Sequence, residues 1–395
     1  MDTVARAHAL APDLVELRRD LHRHPELSNR EVRTSRLVAK RLQQLGYQVQ
    51  SGVGGTGVVG ELRTGSGPTV ALRADMDALP IQEESDVPYA STVPGVMHAC
   101  GHDAHTAALL GAASILAGQG QEDSHWTGKV RLLFQPCEES VDGNGKTGAQ
   151  RMVEAGVLDG AHAVLAIHVG AHLDPGRVYV SSGPVFAGSD TFSLEVAGQS
   201  AHGARPHEGV DAVVLAAQVV TAAQQTVARR LDPRAGAVLG FGTVQGGRAP
   251  NVLADRVNLE GTLRYFTPED RRGLRAGLEG ALRMVESLEG RGSVRYSPGP
   301  PPLVNHPGVV DVVRSALTEA LGDEAVVPAE PTTMAEDFAY LAEATPGALL
   351  WVGAGLEDRR EHHHPRFDVD EACLPVAAIT LAEGARALLR TTPFE

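Results

Sequence analysis

Apolar and polar positions give this chain two different rhythms. Residues 3–22 place leucines at helical spacing among arginines, and Pro25 stops that helix. Ser28 stands three residues before Glu31, the spacing of a capping box. The helix it would open turns Val32, Leu37, Val38, Leu42 and Leu45 inward and ends at Gly46. Short β-type runs follow at 47–50 and 58–62 around a glycine-rich turn. A continuous apolar run at 69–74 then ends on Asp75. The same arrangement recurs: the strand-like 129–134 is followed by Glu138 and Glu139, and 163–167 by His168. The run 348–352 precedes a loop with His362, His363 and His364. In open α/β sheets, sites form beyond the carboxyl ends of the strands, so these loaded loops predict one edge of one sheet.

The middle of the chain alternates instead. Phe192, Leu194 and Val196 mark a strand at 191–197, and an alanine-rich helix follows at 210–227. Strands at 237–244 and 256–266, a helix at 268–288 opened by Pro268 and acidic residues, and a strand at 293–296 complete the set. That order is a split βαβ unit. The expected architecture is α/β, with a mixed-sheet catalytic domain in two parts, residues 1–185 and 298–395. Between them lies an inserted ferredoxin-like domain, residues 186–297, with glycine- and proline-rich hinges.

Composition narrows the classes. A chain of 395 residues can bury two cores, and 43% hydrophobic with 21% charged residues is ordinary for a globular protein. A net charge of −14 offers no footprint for nucleic acid or an anionic membrane. No apolar run approaches the ~20 residues a membrane helix needs. The N-terminal stretch carries Asp2, Asp13 and Glu16 and lacks the layout of a signal peptide. Three scattered cysteines, Cys100, Cys137 and Cys373, make no disulfide framework, so a reducing, cytoplasmic setting is expected.

The densest chemistry is Met97-His98-Ala99-Cys100-Gly101-His102-Asp103-Ala104-His105-Thr106, just before an alanine- and leucine-rich helical run at 107–117. Cys100 and His102 lie two apart, so a tight turn can aim a thiolate and an imidazole at one divalent ion. The plainer alternative is a polar loop that caps the helix. Cys100, His102, Glu139, His168 and His363 would make five ligands suited to two divalent ions that share a water. Glu138 is then the non-ligating base, although adjacent glutamates also describe a solvated face. Asp75 and Asp77 could orient the ligands, or serve a turn or helix cap. His98 and His105 suit supporting roles. His8, His22, His24, His125, His162 and His172 look incidental, and Cys137 and Cys373 look like core residues.

These stretches resemble the amidohydrolase branch of the aminoacylase/carboxypeptidase-G-type dinuclear metallopeptidase family, which includes N-acyl-amino-acid, hippurate and auxin-conjugate hydrolases. The resemblance rests on Leu21-His22-Arg23-His24-Pro25-Glu26-Leu27-Ser28, on residues 73–80 and 97–107, and on Phe134-Gln135-Pro136-Cys137-Glu138-Glu139. It continues through His202-Gly203-Ala204-Arg205-Pro206-His207, Gly246-Gly247-Arg248-Ala249-Pro250-Asn251-Val252, Ala335-Glu336-Asp337-Phe338 and His363-His364-Pro365-Arg366-Phe367. It implies Cys100, His102, Glu139, His168 and His363 as ligands of two divalent ions per subunit, zinc or manganese, with cobalt or nickel also compatible. It further implies Glu138 as general base, Asp75 as active-site support, and Asn251 and Arg264 as a clamp on the substrate carboxylate. The inserted domain would be a lid that pairs in a homodimer, or within a homotetramer, with His202 reaching a neighbouring site. His202 could instead cap a helix beginning near Glu208. Two departures stand out: Cys137 replaces the usual alanine, and the segment 140–148 is longer than the short turn expected there. The implied reaction is hydrolysis of a small N-acyl amino acid, acetylated, benzoylated or similar. The alternatives are a dipeptidase or carboxypeptidase on the same scaffold, or a non-catalytic amino-acid-binding homologue.

Overall fold

Apolar runs without alternation become strands covered on both faces. Thr69–Asp75, Ala163–Gly170 and Gly347–Gly353 are buried at every residue, and Gly128–Gln135 at all but Lys129. In the computed structural model, which describes residues 2–119, 126–391 and 394, these four strands run parallel. His125 lies outside the described residues. The strands form the centre of an eight-stranded sheet in the order Gln48–Val53, Gly57–Thr64, Gly128–Gln135, Thr69–Asp75, Ala163–Gly170, Gly347–Gly353, Val178–Tyr179, Val326–Val327. Gly57–Thr64 pairs antiparallel with Gly128–Gln135, so the sheet is mixed. Val70, Leu72 and Ala74 share one core with Leu165, Ile167 and Val169 and with helices Thr3–Arg23, His102–Gln119 and Cys373–Leu388. Arg73 and Asp75, of opposite parity, face the other side.

This sheet belongs to one of two compact units, Met1–Gly183 with Val304–Glu330 and Asp337–Glu395. The other comprises Pro184–Leu303 and Pro331–Glu336. Within it, Gly188–Ala197, Val238–Gly246, Arg256–Tyr265 and Arg291–Pro298 form an antiparallel sheet. The order is fourth, first, third, second, the ferredoxin-like arrangement. Helices Ala212–Arg229 and Pro268–Glu286 pack Leu215, Val219, Leu278 and Val285 onto Phe192, Leu194, Leu259 and Leu263.

Several local expectations need correction. The helix Val32–Gln44 has no Ser28–Glu31 capping box. The Arg33 and Thr34 amides of its first turn donate instead to the Glu26 carboxylate at 2.9 and 2.8 Å, while Ser28 donates to Asp77 at 2.6 Å. Val32 is exposed, although Val38 and Leu42 are buried as the spacing requires. The end of this helix follows its pattern: Gly46 adopts φ 85°, and the amides of Gly46 and Tyr47 close onto Gln43 and Leu42. The helix after the histidine-rich segment begins at His102, not near residue 107. His168 lies within its strand, opposite Trp351, because pairing continues to Gly170. Among the described residues, no helix is long and apolar enough to cross a membrane.

Candidate metal centre

Three parallel strands deliver the site to one edge of the sheet. Asp75 ends Thr69–Asp75, Glu138 and Glu139 follow Gly128–Gln135, and His168 projects from Ala163–Gly170. Cys100 and Gly101 make the turn into the helix that begins at His102. Gly101 has φ 87°, and a Cβ there would lie 2.3 Å from Val169 Cγ2, so only glycine fits. His363 arrives on the loop after Gly347–Gly353 at φ 62°, its amide held by the Ala99 carbonyl at 2.8 Å.

Ligand-type atoms gather here in overlapping groups. Cys100, His102 and His168 offer atoms within 4.8 Å of one another, as do Cys100, Glu139 and His363, and also His102, Glu138 and Glu139. Cys100 is common to the first two groups. The structure therefore brings Cys100, His102, Glu139, His168 and His363 together beside Glu138. His202, Asn251 and Arg264 belong to the other unit.

Hydrogen bonds fix which ring nitrogen faces inward. His102 Nδ1 donates to the Asp77 carbonyl at 2.9 Å, so Nε2 is the nitrogen turned toward the centre. His168 Nδ1 donates to the Val169 carbonyl at 2.9 Å, and its Nε2 lies 3.7 Å from Cys100 Sγ. His102 Nε2 and Glu139 Oε1 are both buried without a hydrogen-bond partner, 3.8 Å apart. Paired orphans of this kind are what a cation between them would satisfy. The electrostatics agree. Burial opposes charge on His102, yet Asp75 and Asp77 drive it up to about 10. Burial together with Glu139, Glu138 and Asp75 raises the Cys100 thiol well above its usual value. The carboxylates thus create a surplus of negative charge that a divalent ion would neutralise. Burial beside His105 and His362 keeps His168 neutral, the state of an imidazole ligand.

Supporting residues hold this set in place. Asp77 touches His102 and accepts the Glu139 amide at 3.0 Å. Asp75 accepts from His105 Nδ1 at 2.6 Å, and the Val169 amide donates to His105 Nε2 at 2.9 Å. Burial would raise Asp75, but His102, Arg73 and His105 hold it well below the usual carboxylate range. Arg73 links Asp75, Gln135 and Asp337 at 2.7, 2.9 and 2.9 Å. The Asp337 amide donates to Glu138 Oε1 at 3.4 Å.

Glu31 has a role its capping-box spacing conceals. Its carboxylate accepts the amides of Asn29 and Cys137 at 2.9 Å each and bonds Thr56, bracing the loop before Glu138. Cys137, at φ 53°, turns its thiol to Asn29 and to the Ser140 carbonyl. The longer segment after Glu139 closes on itself through Asp142 and Lys146, and Thr147 with Gln150 caps helix Gly148–Glu154. A Cβ at Gly148 would stand 1.6 Å from the Pro136 carbonyl oxygen.

His22 is not incidental: it is buried between Asp103 and Glu83, at 2.7 and 3.4 Å. Nothing local in the sequence marks that contact, since Asp103 is 81 residues away. In the other unit, His202 is exposed and accepts the Ala204 amide on Nδ1 at 3.1 Å, which leaves Nε2–H as a donor. It caps no helix, because Asp211 caps Ala212–Arg229. The Gly203 amide donates to the Asn251 carbonyl at 2.7 Å, so these two motifs are neighbours. Arg264 is half-buried, and burial lowers its pKa.

Residues 71–386 match the family described as Peptidase family M20/M25/M40. The chain is 40% identical to an N-acetyl-L-cysteine deacetylase of Bacillus subtilis over 96% of this chain and 89% of that one. It is 38% identical to thermostable carboxypeptidase 2 of Saccharolobus solfataricus over 93% of each. A dinuclear metal-binding peptidase structure from Bacillus subtilis superposes with a TM-score of 0.84 at 34% identity, covering 98% of this chain and all of that one (100%).

Proposed function

Because this chain belongs to peptidase family M20/M25/M40 and is a hydrolase of that family, we propose that it hydrolyses the amide bond of N-acyl amino acids. The observation that carries this reading is the pair of ligand-type groups sharing Cys100, with Glu138 beside them. In this reading Cys100, His102, Glu139, His168 and His363 hold two divalent ions, zinc or manganese, or cobalt or nickel on the same donors. Such ions supply Lewis acidity, polarising a carbonyl and lowering the pKa of water.

The remaining steps fall to the chain's own groups. Glu138 takes a proton from the attacking water and delivers it to the leaving nitrogen. The carbonyls of Asp77 and Val169 hold His102 and His168 with Nε2 turned inward, and Asp75 anchors His105 beside them. His202 donates from Nε2 to the developing oxyanion, a role worth ~10²–10³ in rate for one donor. Asn251 and Arg264 hold the substrate carboxylate, and the partly desolvated guanidinium of Arg264 suits that pairing. The active species is a homodimer or a homotetramer in a cytoplasmic setting. A relative named as a carboxypeptidase gives specific support to a second reading, in which the acyl part is itself an amino acid or peptide.

A panel of acetyl-, benzoyl- and long-acyl amino acids alongside dipeptides, each assayed with added zinc, manganese or cobalt, separates the readings. Acyl amino acids should be turned over at least tenfold more efficiently than dipeptides. Preference for a free α-amine would replace this reading with the peptidase one.

A further inference from the structure

A second group of ligand-type side chains lies outside the proposed centre. His172, in the turn after strand Ala163–Gly170, meets Glu361 and His362 on the loop after Gly347–Gly353. Each offers one donor atom, and the three lie within 4.8 Å of one another. The His362 tautomer is set by its surroundings. Nε2 donates to the Val169 carbonyl at 2.9 Å, and a carbonyl only accepts, so Nδ1 carries the lone pair. An imidazole whose far nitrogen donates to a backbone carbonyl has the outer support that metal-binding histidines commonly have. Both rings also pack on Trp351, which is 3% exposed, with centroids at 5.4 Å for His172 and 6.3 Å for His362. Packing therefore restrains the two imidazoles, and the exposed Glu361 is the member able to swing.

We propose that His172, Glu361 and His362 form a third divalent-cation site, taking zinc or a similar borderline ion. Two imidazoles and a carboxylate leave a fourth position open to water. Zinc at about 2.0–2.2 Å from each donor needs donor atoms roughly 3–3.5 Å apart, inside the 4.8 Å within which the three already lie. The ion would tie the turn bearing His172 to the loop bearing His363. Glu138 and the five proposed ligands take no part in it.

The total ion count rests on the two-ion reading of the main centre, whereas the difference between variants does not. Metal-stripped wild-type protein, His172→Ala and Glu361→Gln would be dialysed against graded micromolar zinc, with bound zinc read by mass spectrometry. The same set would be repeated in a Glu139→Gln background. The wild type should bind one zinc more than His172→Ala, and Glu361→Gln should weaken that additional ion at least tenfold, in both backgrounds. If the main centre held fewer than two ions, the one-ion difference would persist while the total fell short of three. Should His172→Ala misfold, the surface variant Glu361→Gln decides alone. Superimposable isotherms for wild type and Glu361→Gln, or no ion beyond those of the main centre, would overturn the proposal.

Discussion

Glu138 and Glu139 are adjacent in sequence but meet different partners. Glu139 has its amide on Asp77 and its Oε1 beside His102 and His363, at 3.8 and 3.3 Å. Glu138 instead takes the Asp337 amide. Glu138→Gln keeps the volume and the metal donors yet cannot accept a proton, so kcat should fall by ~10²–10⁴ with metal content unchanged. Glu139→Gln should lower metal content as well as activity. Metal analysis of the two purified variants checks this, and equal metal content would reverse the assignment of base and ligand. Residue types made much of this site visible in advance. A Cys-Gly-His turn, a Glu-Glu pair and histidines beside apolar strands are chemically loaded whatever the fold. What supports them was less visible. Ser28 and Glu31 have capping-box spacing, but Asp77 and the Cys137 amide compete for them with better geometry, and Glu26 caps the helix instead. The cluster of His172, Glu361 and His362 depends on two loops 189 residues apart in sequence.

Elements were legible where periodicity is strong and less so where a run simply continues. The run Ala163-Val164-Leu165-Ala166-Ile167-His168-Val169-Gly170 has no polar break at which to stop a strand short of His168. Helix placement also depends on contacts that no local pattern shows. Thr3–Arg23 is bound to the start of His102–Gln119 through Arg18, which donates to Asp103 at 2.7 Å and to Asp368 at 2.8 Å from a fully buried guanidinium. His22 completes that junction. Burial and Arg18 both disfavour its charged form, but Asp103 and Glu83 outweigh them and raise its pKa above the ordinary value. Its contribution to stability is therefore complete below the unfolded value of about 6.5 and lost as pH rises through the folded one. His22→Gln should destabilise by about 2 kcal/mol at pH 6, the scale of a hydrogen bond to a charged group, and by less at pH 9. Thermal unfolding of both proteins at the two pH values tests the sign. A larger penalty at pH 9 would show that His22 is neutral in the fold. Because Asp103 directly follows His102, loosening this junction should also lower metal affinity.

At the scale of the whole molecule, the proposed ligands and base all come from one compact unit, and His202, Asn251 and Arg264 from the other. The division explains why the two proposed sets of residues differ in legibility. The sheet edge gathers the first set on strand ends and the loops beside them, whereas His202 and Asn251 sit on exposed turns joined by backbone hydrogen bonds from Gly203 to Asn251 and from Leu253 to Ala201. The proposed role of His202 is best tested by mixing chains. If His202 acts on the site of a partner subunit, Glu138→Gln and His202→Ala homodimers should each be nearly inactive. In a heterodimer of the two, the His202→Ala chain keeps its native Glu138 and receives native His202 from its partner. One of the two sites is then complete, and activity should recover towards half that of the wild type. If His202 serves its own chain, neither site in the heterodimer has both residues, and activity stays at background. Co-expression with two affinity tags isolates the heterodimer, and its kcat per site decides between the arrangements. Rescue should also leave KM near the wild-type value, since Asn251 and Arg264 are native in both chains.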